Sequence, residues 1–478
     1  MKVVMLASEA LPFIKVGGLG DVVYSLSRKL ASKQVNVSIV LPFYKMRNSD
    51  LLSNIVFVKE LNIKMSWRNL KAKIYKVVLN RVSYYFVEND YYFKRENVYG
   101  YQDDFERFAF LSLTSFEIIT KVIKKVDIVH IHDWHCCAVP LLYHHFIEKK
   151  DIHFMLTIHN PGFQGFCQRH DLDEYFNLPE YYFDNGLARY NNQVNLMKCA
   201  IVLSDRITTV SPTHRSELIH GISSYGLEYI LQTKSSDFIG ILNGLDISEF
   251  NPKKDLYIDH NYSIKDVEKG KKINKDLLCK ELKFEHPEYP LFCIVSRLSK
   301  QKGIEFIISN IEKILQLKLN LVILGKGNQE YENQLSFYCS HHKNVACLIK
   351  FSNELAHRIY ASSDFLLMPS IYEPCGISQM IAMTYGTVPI ASGVGGLVDT
   401  IKSYNELNSE YANGILFTLN NDHLILCILL AIHLYNDRKD TITKLIRNGM
   451  NTNFSWSKST EEYLRLYQQI MQKKNALN

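Results

Sequence analysis

The chain has 478 residues, which is too long for one ordinary core and indicates two or three domains. Apolar residues make up 47% and charged residues 22%, a balance typical of folded globular proteins rather than of disordered or membrane-embedded ones. The formal charge of +6 is spread along the chain without a long basic run, so nucleic-acid binding is not indicated, and no apolar run reaches the length of a membrane span.

The first predicted elements are a strand over 3–7 and a helix over 23–30, joined by a turn that reads I-K-V-G-G-L-G-D-V. Glycines let a ligand approach the backbone closely, and a helix start presents N–H groups that suit an anion such as phosphate. A tight turn without a ligand is the alternative. Lys15 and Asp21 on either side of the glycines favour a ligand, although Val23 breaks the dinucleotide fingerprint and no P-loop motif occurs.

Further short apolar runs predict a parallel sheet in the first half of the chain. They cover 35–41, 83–87, 127–132, 153–158, 206–210 and 238–242, and amphipathic stretches such as 105–123 separate them. The run over 127–132 leads into H-I-H-D-W-H, which lacks a complete metal-ligand set. We therefore favour a polar cluster in which Asp133 bonds a sugar hydroxyl. His159 and Asn160 end the next strand, where α/β enzymes place working side chains.

A charged stretch from Asp246 to Glu288 interrupts this pattern and indicates a domain boundary near residue 245. A second series of strands is predicted at 291–295, 319–324, 345–349, 365–368, 388–391 and 415–417. We expect one domain over 1–245, a second over 246–458, and a C-terminal helix over 459–478 that packs back on the first. The fold class is α/β, with two doubly wound parallel-sheet domains whose strand ends face an interdomain cleft.

Cationic and glycine-rich turns recur at the strand ends of the second domain. Arg297 and Lys302 lie in the turn of a predicted strand–turn–helix, where two cations suit a diphosphate. The alternative is a pair of solvated surface charges. The loop from Glu373 to Gly376 offers one carboxylate and several N–H groups for hydroxyls, while Cys375 has no base that would make it a nucleophile. Together, phosphate-binding and hydroxyl-binding turns indicate a nucleotide-sugar enzyme.

The motifs resemble those of the bacterial glycogen synthase and plant starch synthase family, which are retaining glucosyltransferases of the GT-B fold. The resemblance spans the chain from the first strand to the last helix. It rests on K-V-G-G-L-G-D-V from Lys15, H-D-W-H from His132, T-I-H-N from Thr157, D-R-I-T-T-V-S-P-T from Asp205, N-G-L-D from Asn243, S-R-L-S-K-Q-K-G from Ser296, E-P-C-G from Glu373, Y-G-T-V-P from Tyr385 and F-S-W from Phe454.

The resemblance implies transfer of glucose from ADP-glucose to the non-reducing 4-hydroxyl of an α-1,4-glucan such as glycogen, with retention and without a metal or organic cofactor. Arg297 and Lys302 would hold the departing diphosphate, Glu373 would grip the glucose hydroxyls, and His159 would lie beside the reacting sugar. The donor-binding residues that it implies are Lys15, Gly17, Gly18, Asp21, Tyr101, Asp133, Asn160, Cys375, Gly376, Gly395 and Gly396. Attack by the 4-hydroxyl on the face from which diphosphate leaves would need no enzyme nucleophile.

The sequence departs from the family pattern at two positions before its predicted phosphate turn. Ser392 stands where an Arg is common and Val394 where a Thr is common, whereas Ile381, in place of a second Glu found in many GT-B transferases, agrees with this family. The alternatives are a related GT-B transferase that uses UDP-glucose or another acceptor, and a catalytically weak glucan-binding protein.

The ten cysteines form no C-x-x-C motif, and several lie within apolar runs where Cys acts as a small hydrophobe. A predicted strand follows Lys2 where a signal peptide would have a long apolar stretch. We therefore expect a cytoplasmic protein with a nucleotide sugar and a glucan as its partners, and with neither nucleic acid nor membrane among them.

Overall fold

The computed structural model describes residues 1–45, 51, 53–149 and 151–477. The chain divides into two compact units, one from Met1–Gly244 with Trp456–Asn478 and one from Leu245–Ser455. The sequence put its boundaries after residues 245 and 458, and Asn478, the last residue of its third segment, lies outside the described residues. Each unit is an α/β domain with its own sheet.

The first unit is built on a nine-stranded sheet and a small three-stranded one. Its strands are β1 (Lys2–Leu6), β2 (Asn36–Pro42), β3 (Val56–Met65), β4 (Arg68–Leu79), β5 (Val82–Glu88), β6 (Ile128–His132), β7 (His153–Ile158), β8 (Phe166–Cys167), β9 (Arg189–Tyr190), β10 (Gln193–Asn195), β11 (Arg206–Thr209) and β12 (Phe238–Gly240). The order in the large sheet is β12-β11-β7-β6-β1-β2-β5-β4-β3. The strands from β12 to β5 are parallel, and β4 and β3 continue the sheet antiparallel.

Helices cover this sheet. They are α1 (Gly18–Ser32), α2 (Asp90–Phe93), α3 (Asp104–Glu117, continued by a π-helical turn over Ile118–Val122), α4 (Val139–Phe146), α5 (Asp171–Phe176), α6 (Tyr181–Asp184), α7 (Leu196–Leu203), α8 (Pro212–Ile219) and α9 (Glu228–Thr233). Alternate residues of β1 face opposite cores: Val3 and Met5 pack with α1 on one side, while Val4 and Leu6 pack on the other.

The antiparallel hairpin of β3 and β4 was missed by the sequence analysis, which predicted a wholly parallel sheet. Along β3, exposed and buried residues alternate from Leu61 to Met65, and the strand before Leu61 is exposed throughout. Continuous apolar runs mark strands that are buried on both faces. An edge hairpin with one solvated face carries a weaker, alternating signal.

The second unit has a six-stranded, fully parallel sheet. Its strands are β13 (Leu291–Val295), β14 (Asn320–Leu324), β15 (Val345–Leu348), β16 (Phe365–Met368), β17 (Val388–Ser392) and β18 (Ile415–Phe417). Its helices are α10 (Val267–Glu281), α11 (Ile304–Leu315), α12 (Gln329–His341), α13 (Asn353–Ser362), α14 (Ser378–Thr384), α15 (Gly395–Thr400), α16 (Asn421–Asp437) and α17 (Lys439–Asn451). The strand order β15-β14-β13-β16-β17-β18 is the 3-2-1-4-5-6 order of dinucleotide-binding folds, with its reversal between β13 and β16.

The last helix, α18 (Trp456–Leu477), belongs to the first unit although it follows the second in sequence. Trp456, Tyr463 and Tyr467 are buried in the same core as α1. Burial of three large aromatic side chains accounts for the return of the chain, because each removes a large apolar area from water.

A disulfide joins Cys339 in α12 to Cys347 in β15, which the sequence pattern had not predicted. The other eight cysteines, all within the described residues, are free thiols, and seven of them are buried.

Candidate active site

The glycine turn follows β1 at a point where the strand order of the first sheet reverses. From β1 the chain passes to β2 on one side, and it later returns to β6 on the other, so ligands are expected beyond the carboxyl ends of β1 and β6. Helix α1 begins at Gly18, with Gly17 at its N-cap. A Cβ built on Gly17 would meet no atom within 4 Å, and its φ of −139° is open to any residue. Neither packing nor backbone geometry therefore demands glycine at this position.

The two charged residues of this turn contact each other. Lys15 Nζ lies 2.7 Å from Asp21 Oδ2, and both side chains are partly exposed. The ammonium thus stands at the helix start, held by a carboxylate of the first helical turn. A cation at a helix start suits an anionic ligand such as phosphate.

A buried carboxylate that the sequence analysis did not single out also occupies the turn. Glu9 Oε2 accepts hydrogen bonds from the N–H groups of Val16 at 2.5 Å and Gly17 at 2.9 Å, and Oε1 accepts one from the Tyr99 hydroxyl at 2.7 Å. The N–H groups of Val16 and Gly17 are therefore committed to the protein. The available sequence signal was a carboxylate shortly after the first strand, but its partner Tyr99 lies 90 residues away.

Tyr101, which the resemblance assigned to the donor, is engaged within its own loop. Its hydroxyl accepts a hydrogen bond from the Asn97 N–H at 3.0 Å, and its ring lies against the guanidinium groups of Arg95 and Arg107. Tyr99, two residues earlier, stands beside the glycine turn through Glu9 and the Ser8 hydroxyl. Tyr99 thus contacts the glycine turn through Glu9, and the role of Tyr101 at the donor stays a prediction.

Asp133 supports the backbone of the following loop. Its Oδ1 accepts hydrogen bonds from the N–H groups of His159 at 2.7 Å and Asn160 at 3.1 Å. Its own φ of +59° lies in the left-handed region, which costs a residue other than glycine about 1–3 kcal/mol. Burial raises the pKa of Asp133 to about 7 despite these two N–H donors. Asp133 thus holds the loop that carries His159, and its bond to a sugar hydroxyl stays a prediction.

The histidines of H-I-H-D-W-H form separate pairs rather than one ligand set. His132 Nδ1 lies 3.0 Å from His159 Nε2, His130 bonds Tyr467 and Thr157, and His135 Nδ1 lies 3.2 Å from the Ser8 hydroxyl. Burial lowers the pKa of His130, His135 and His159 to about 3. The residues that the structure describes include no group of three or more His, Cys, Asp or Glu side chains placed to hold a metal ion.

In the second unit, Lys302 and Glu373 meet where the strand order reverses between β13 and β16. Lys302 Nζ lies 2.5 Å from Glu373 Oε2, and the Ser370 hydroxyl donates to the same oxygen at 3.0 Å. Glu373 is only 6% exposed. Its carboxylate is therefore largely shielded from water, and Lys302 and Ser370 hold it in place. Arg297, at the end of β13, is exposed and bonds the Gln301 side chain weakly at 3.3 Å.

The glycines of the second unit allow close approach between the Glu373 loop and helix α15. A Cβ on Gly396 would lie 2.2 Å from the Cys375 carbonyl oxygen, and the Gly396 N–H donates to the Glu373 carbonyl at 3.0 Å. Gly376 has a φ of +73°, which glycine adopts without strain. Gly395 begins α15, so this helix start lies against the carboxylate loop. Cys375 is buried there.

Comparisons with known proteins agree with this arrangement. The family model described as starch synthase catalytic domain matches residues 2–233, and glycosyl transferases group 1 matches residues 280–447. A glycogen synthase of Clostridium botulinum (strain Alaska E43 / Type E3) is 39% identical over 98% of this chain and 99% of its own length. One from Clostridioides difficile (strain 630) is 37% identical over 98% of this chain and its own full length. The chain belongs to the glycogen and starch synthase family.

A solved member of this family has the same fold. The catalytic domain of starch synthase IV from Arabidopsis thaliana, bound to ADP and acarbose, matches with a TM-score of 0.90 and 32% identity, covering 98% of this chain and 99% of that one. The fold is therefore GT-B, and the chain is a glycosyltransferase of the glycogen synthase type. Among its described residues, no helix is both long and apolar enough to cross a membrane.

The two departures from the family pattern have different local consequences. Ser392, at the end of β17, is fully buried, and its hydroxyl donates to the Ser370 carbonyl at 2.6 Å. It therefore supports the residue whose hydroxyl holds Glu373. Val394 is the N-cap of α15 and provides no side-chain hydrogen bond, where the Thr common in glycogen synthases would bring a hydroxyl.

Proposed function

We propose that this glycosyltransferase uses ADP-glucose as its donor and transfers glucose to the non-reducing 4-hydroxyl of an α-1,4-glucan with retention of configuration. The observation that carries the proposal is the contact between Lys302 and Glu373 at the reversal of strand order. It brings a cation for a leaving diphosphate next to a carboxylate for sugar hydroxyls. The starch synthase IV relative, which is bound to ADP and acarbose, supports the choice of donor base and acceptor.

The second unit would supply most of the leaving-group stabilisation. As the bond between the glucosyl carbon and the diphosphate breaks, negative charge grows on the phosphate oxygens. Lys302 and Arg297 would stabilise that charge, and fixed cations act strongly where water is excluded. The exposed Arg297 side chain has one weak bond to give up before it binds phosphate.

Glu373 would orient the sugar. The Ser370 hydroxyl and the Lys302 ammonium fix its carboxylate, which leaves its other lone pairs for glucose hydroxyls. Since the acceptor oxygen would attack on the face that the diphosphate leaves, the proposal requires no covalent enzyme intermediate. Rate would then come from positioning and electrostatic stabilisation.

The first unit would contribute Lys15, Asp21 and close backbone approach at Gly17 and Gly18 to the donor, and His159 with Asn160 to the reacting sugar. Tyr101 would lie near the donor, and we add Tyr99 to this set because it contacts the glycine turn through Glu9. Asp133 acts by holding the loop of His159 and Asn160. Cys375, Gly376, Gly395 and Gly396 would offer backbone groups to the donor. We also propose a cytoplasmic location, in keeping with the eight free thiols.

The test is release of nucleoside diphosphate from ADP-glucose and UDP-glucose in parallel, with and without glycogen. We expect glycogen-dependent ADP release and lengthened α-1,4 chains, with the α configuration of the new linkage read by NMR. A preference for UDP-glucose would refute the proposed donor alone. Binding of glycogen without release from either donor would favour a glucan-binding protein, the alternative that the changes at Ser392 and Val394 support.

A further inference from the structure

The contact between His132 and His159 indicates which ring nitrogen of His159 bears the proton. His132 is fully buried at the end of β6, with its ring centroid 4.1 Å from that of His130 and 5.3 Å from that of His159. Its Nδ1 lies 3.0 Å from His159 Nε2. Two neutral imidazoles at this distance share one proton, because one nitrogen must donate and the other accept.

Both rings are neutral near pH 7. Burial lowers the pKa of His159 to about 3 and that of His132 well below its ordinary value of 6.5, and the neighbouring histidines lower the latter further. Each ring therefore carries a single N–H group. The question is which of the two donates across the 3.0 Å contact.

The other nitrogen of His132 decides the question. His132 Nε2 is buried and has no hydrogen-bond partner among the described residues. A proton on Nε2 would bury an unpaired N–H group, whereas a proton on Nδ1 leaves only an unpaired acceptor. Buried N–H groups without a partner are rarer in proteins than under-satisfied acceptors. His132 is therefore the donor, and His159 Nε2 is the acceptor.

We infer that His132 is a positioning residue that fixes His159 as the Nδ1–H tautomer, so that His159 can only donate a hydrogen bond to the sugar. With its Nε2 lone pair occupied by His132, a neutral His159 has one group left to offer, the N–H at Nδ1. This inference rests on the proposed function in placing His159 beside the reacting sugar. It gives His159 the role of a donor to a hydroxyl oxygen and excludes a role as a base.

The experiment uses the full-length protein labelled with 15N histidine. Long-range 1H–15N correlation spectra distinguish the two neutral tautomers, and the signal of His159 is assigned from its loss in a His159→Asn variant. We expect the Nδ1–H pattern at His159 in the unliganded wild type. An Nε2–H pattern would overturn the inference, and this reading requires neither substrate nor turnover.

Two nearly isosteric variants test whether His132 sets this tautomer. In His132→Asn the amide N–H group stands close to the position of Nδ1 and can still donate to His159, whereas His132→Leu removes the donor. We expect Asn to keep the Nδ1–H signal and at least a tenth of the wild-type kcat. Leu should lose the pure Nδ1–H pattern, with kcat lowered about tenfold or more below that of Asn.

A purely structural role for His132 would give the opposite order. Leu fills a buried site without burying a polar amide, so the Leu variant would then be at least as stable and as active as Asn. The inference also fails if both variants keep the Nδ1–H signal. If the wild type has the expected tautomer but releases no nucleoside diphosphate, the proposed function fails and the assignment of the tautomer stands.

Discussion

Lys15 provides the sharpest test of the donor site at the scale of a single residue. We expect Lys15→Gln to weaken ADP-glucose binding by roughly tenfold or more, because a hydrogen bond to a charged group contributes about 1.5–3 kcal/mol. The variant also leaves the Asp21 carboxylate without its ammonium partner, and this anion would then repel phosphate. Titration calorimetry with ADP-glucose and with glycogen measures the two affinities, and Lys29→Gln, at the exposed far end of the same helix, is the control. Equal losses for both ligands would contradict the placement of Lys15 at the phosphates.

Glu373 is the second residue whose role can be tested directly. We expect Glu373→Gln to lower kcat by about a hundredfold or more while the protein stays folded, because the variant keeps the shape but removes the charge that orients Lys302 and the sugar. Steady-state ADP release gives kcat, and circular dichroism checks the fold. Glu410→Gln is the matched control, since Glu410 pairs with Lys444 on the exposed surface of the same unit. Near-normal turnover in Glu373→Gln would remove Glu373 from the reaction.

The site residues that could be predicted from the sequence are those that lie next to a recognisable local pattern. His159 and Glu373 follow apolar runs at strand ends, so a local pattern suffices. Glu9 and Tyr99 escaped because their significance lies in a contact between residues 90 positions apart. Asp133 was found, but its two hydrogen bonds from backbone N–H groups were not, because those groups belong to the loop of a neighbouring strand.

At the scale of the element, helix α15 lacks a feature that one substitution can supply. Its N-cap, Val394, has extended φ and ψ but no side-chain acceptor for the first N–H groups. We expect Val394→Thr to raise the free energy of unfolding of the second unit by roughly 0.5 kcal/mol, the low end of the effect of an N-cap hydroxyl, because the Gly396 N–H already donates to the Glu373 carbonyl. Chemical unfolding followed by far-ultraviolet circular dichroism measures the change. Val398→Thr makes the same chemical change inside the helix, where no gain is expected, so equal effects of the two variants would refute capping.

Strands were predictable from the sequence where both of their faces are buried in the sheet. The bounds predicted for β13 and β18, residues 291–295 and 415–417, are the observed ones, and all six strands of the second sheet were placed. The β3–β4 hairpin was missed because its signal alternates and one side faces water. The disulfide of Cys339 and Cys347 could not be read from spacing, because it depends on how α12 packs against β15.

At the scale of the whole molecule, we expect the first unit to lose stability as the pH falls. The second unit has no tryptophan and therefore does not contribute to the tryptophan fluorescence that reports this loss. All three tryptophans of the chain, Trp67, Trp134 and Trp456, lie in the first unit, so their fluorescence follows its unfolding alone. Its buried histidines stay neutral when folded but take up protons when unfolded. Their contribution is therefore present above the ordinary pKa of 6.5 and is lost as the pH falls from about 6.5 towards 3.

Asp133 acts in the opposite direction, because its folded-state pKa of about 7 exceeds its ordinary value of 3.8 and favours folding as the pH falls through 7. At about pH 5 each of the three histidines lowers the free energy of unfolding of the first unit by about 2 kcal/mol, whereas Asp133 raises it by about 3 kcal/mol. The free energy of unfolding is therefore about 3 kcal/mol lower at this pH. Urea unfolding at about pH 7.5 and pH 5, followed by tryptophan fluorescence, should give a lower midpoint at the acidic pH. Asp133→Asn removes the opposing contribution and should steepen the dependence. Midpoints that do not change with pH would mean that these histidines are not buried as neutral groups.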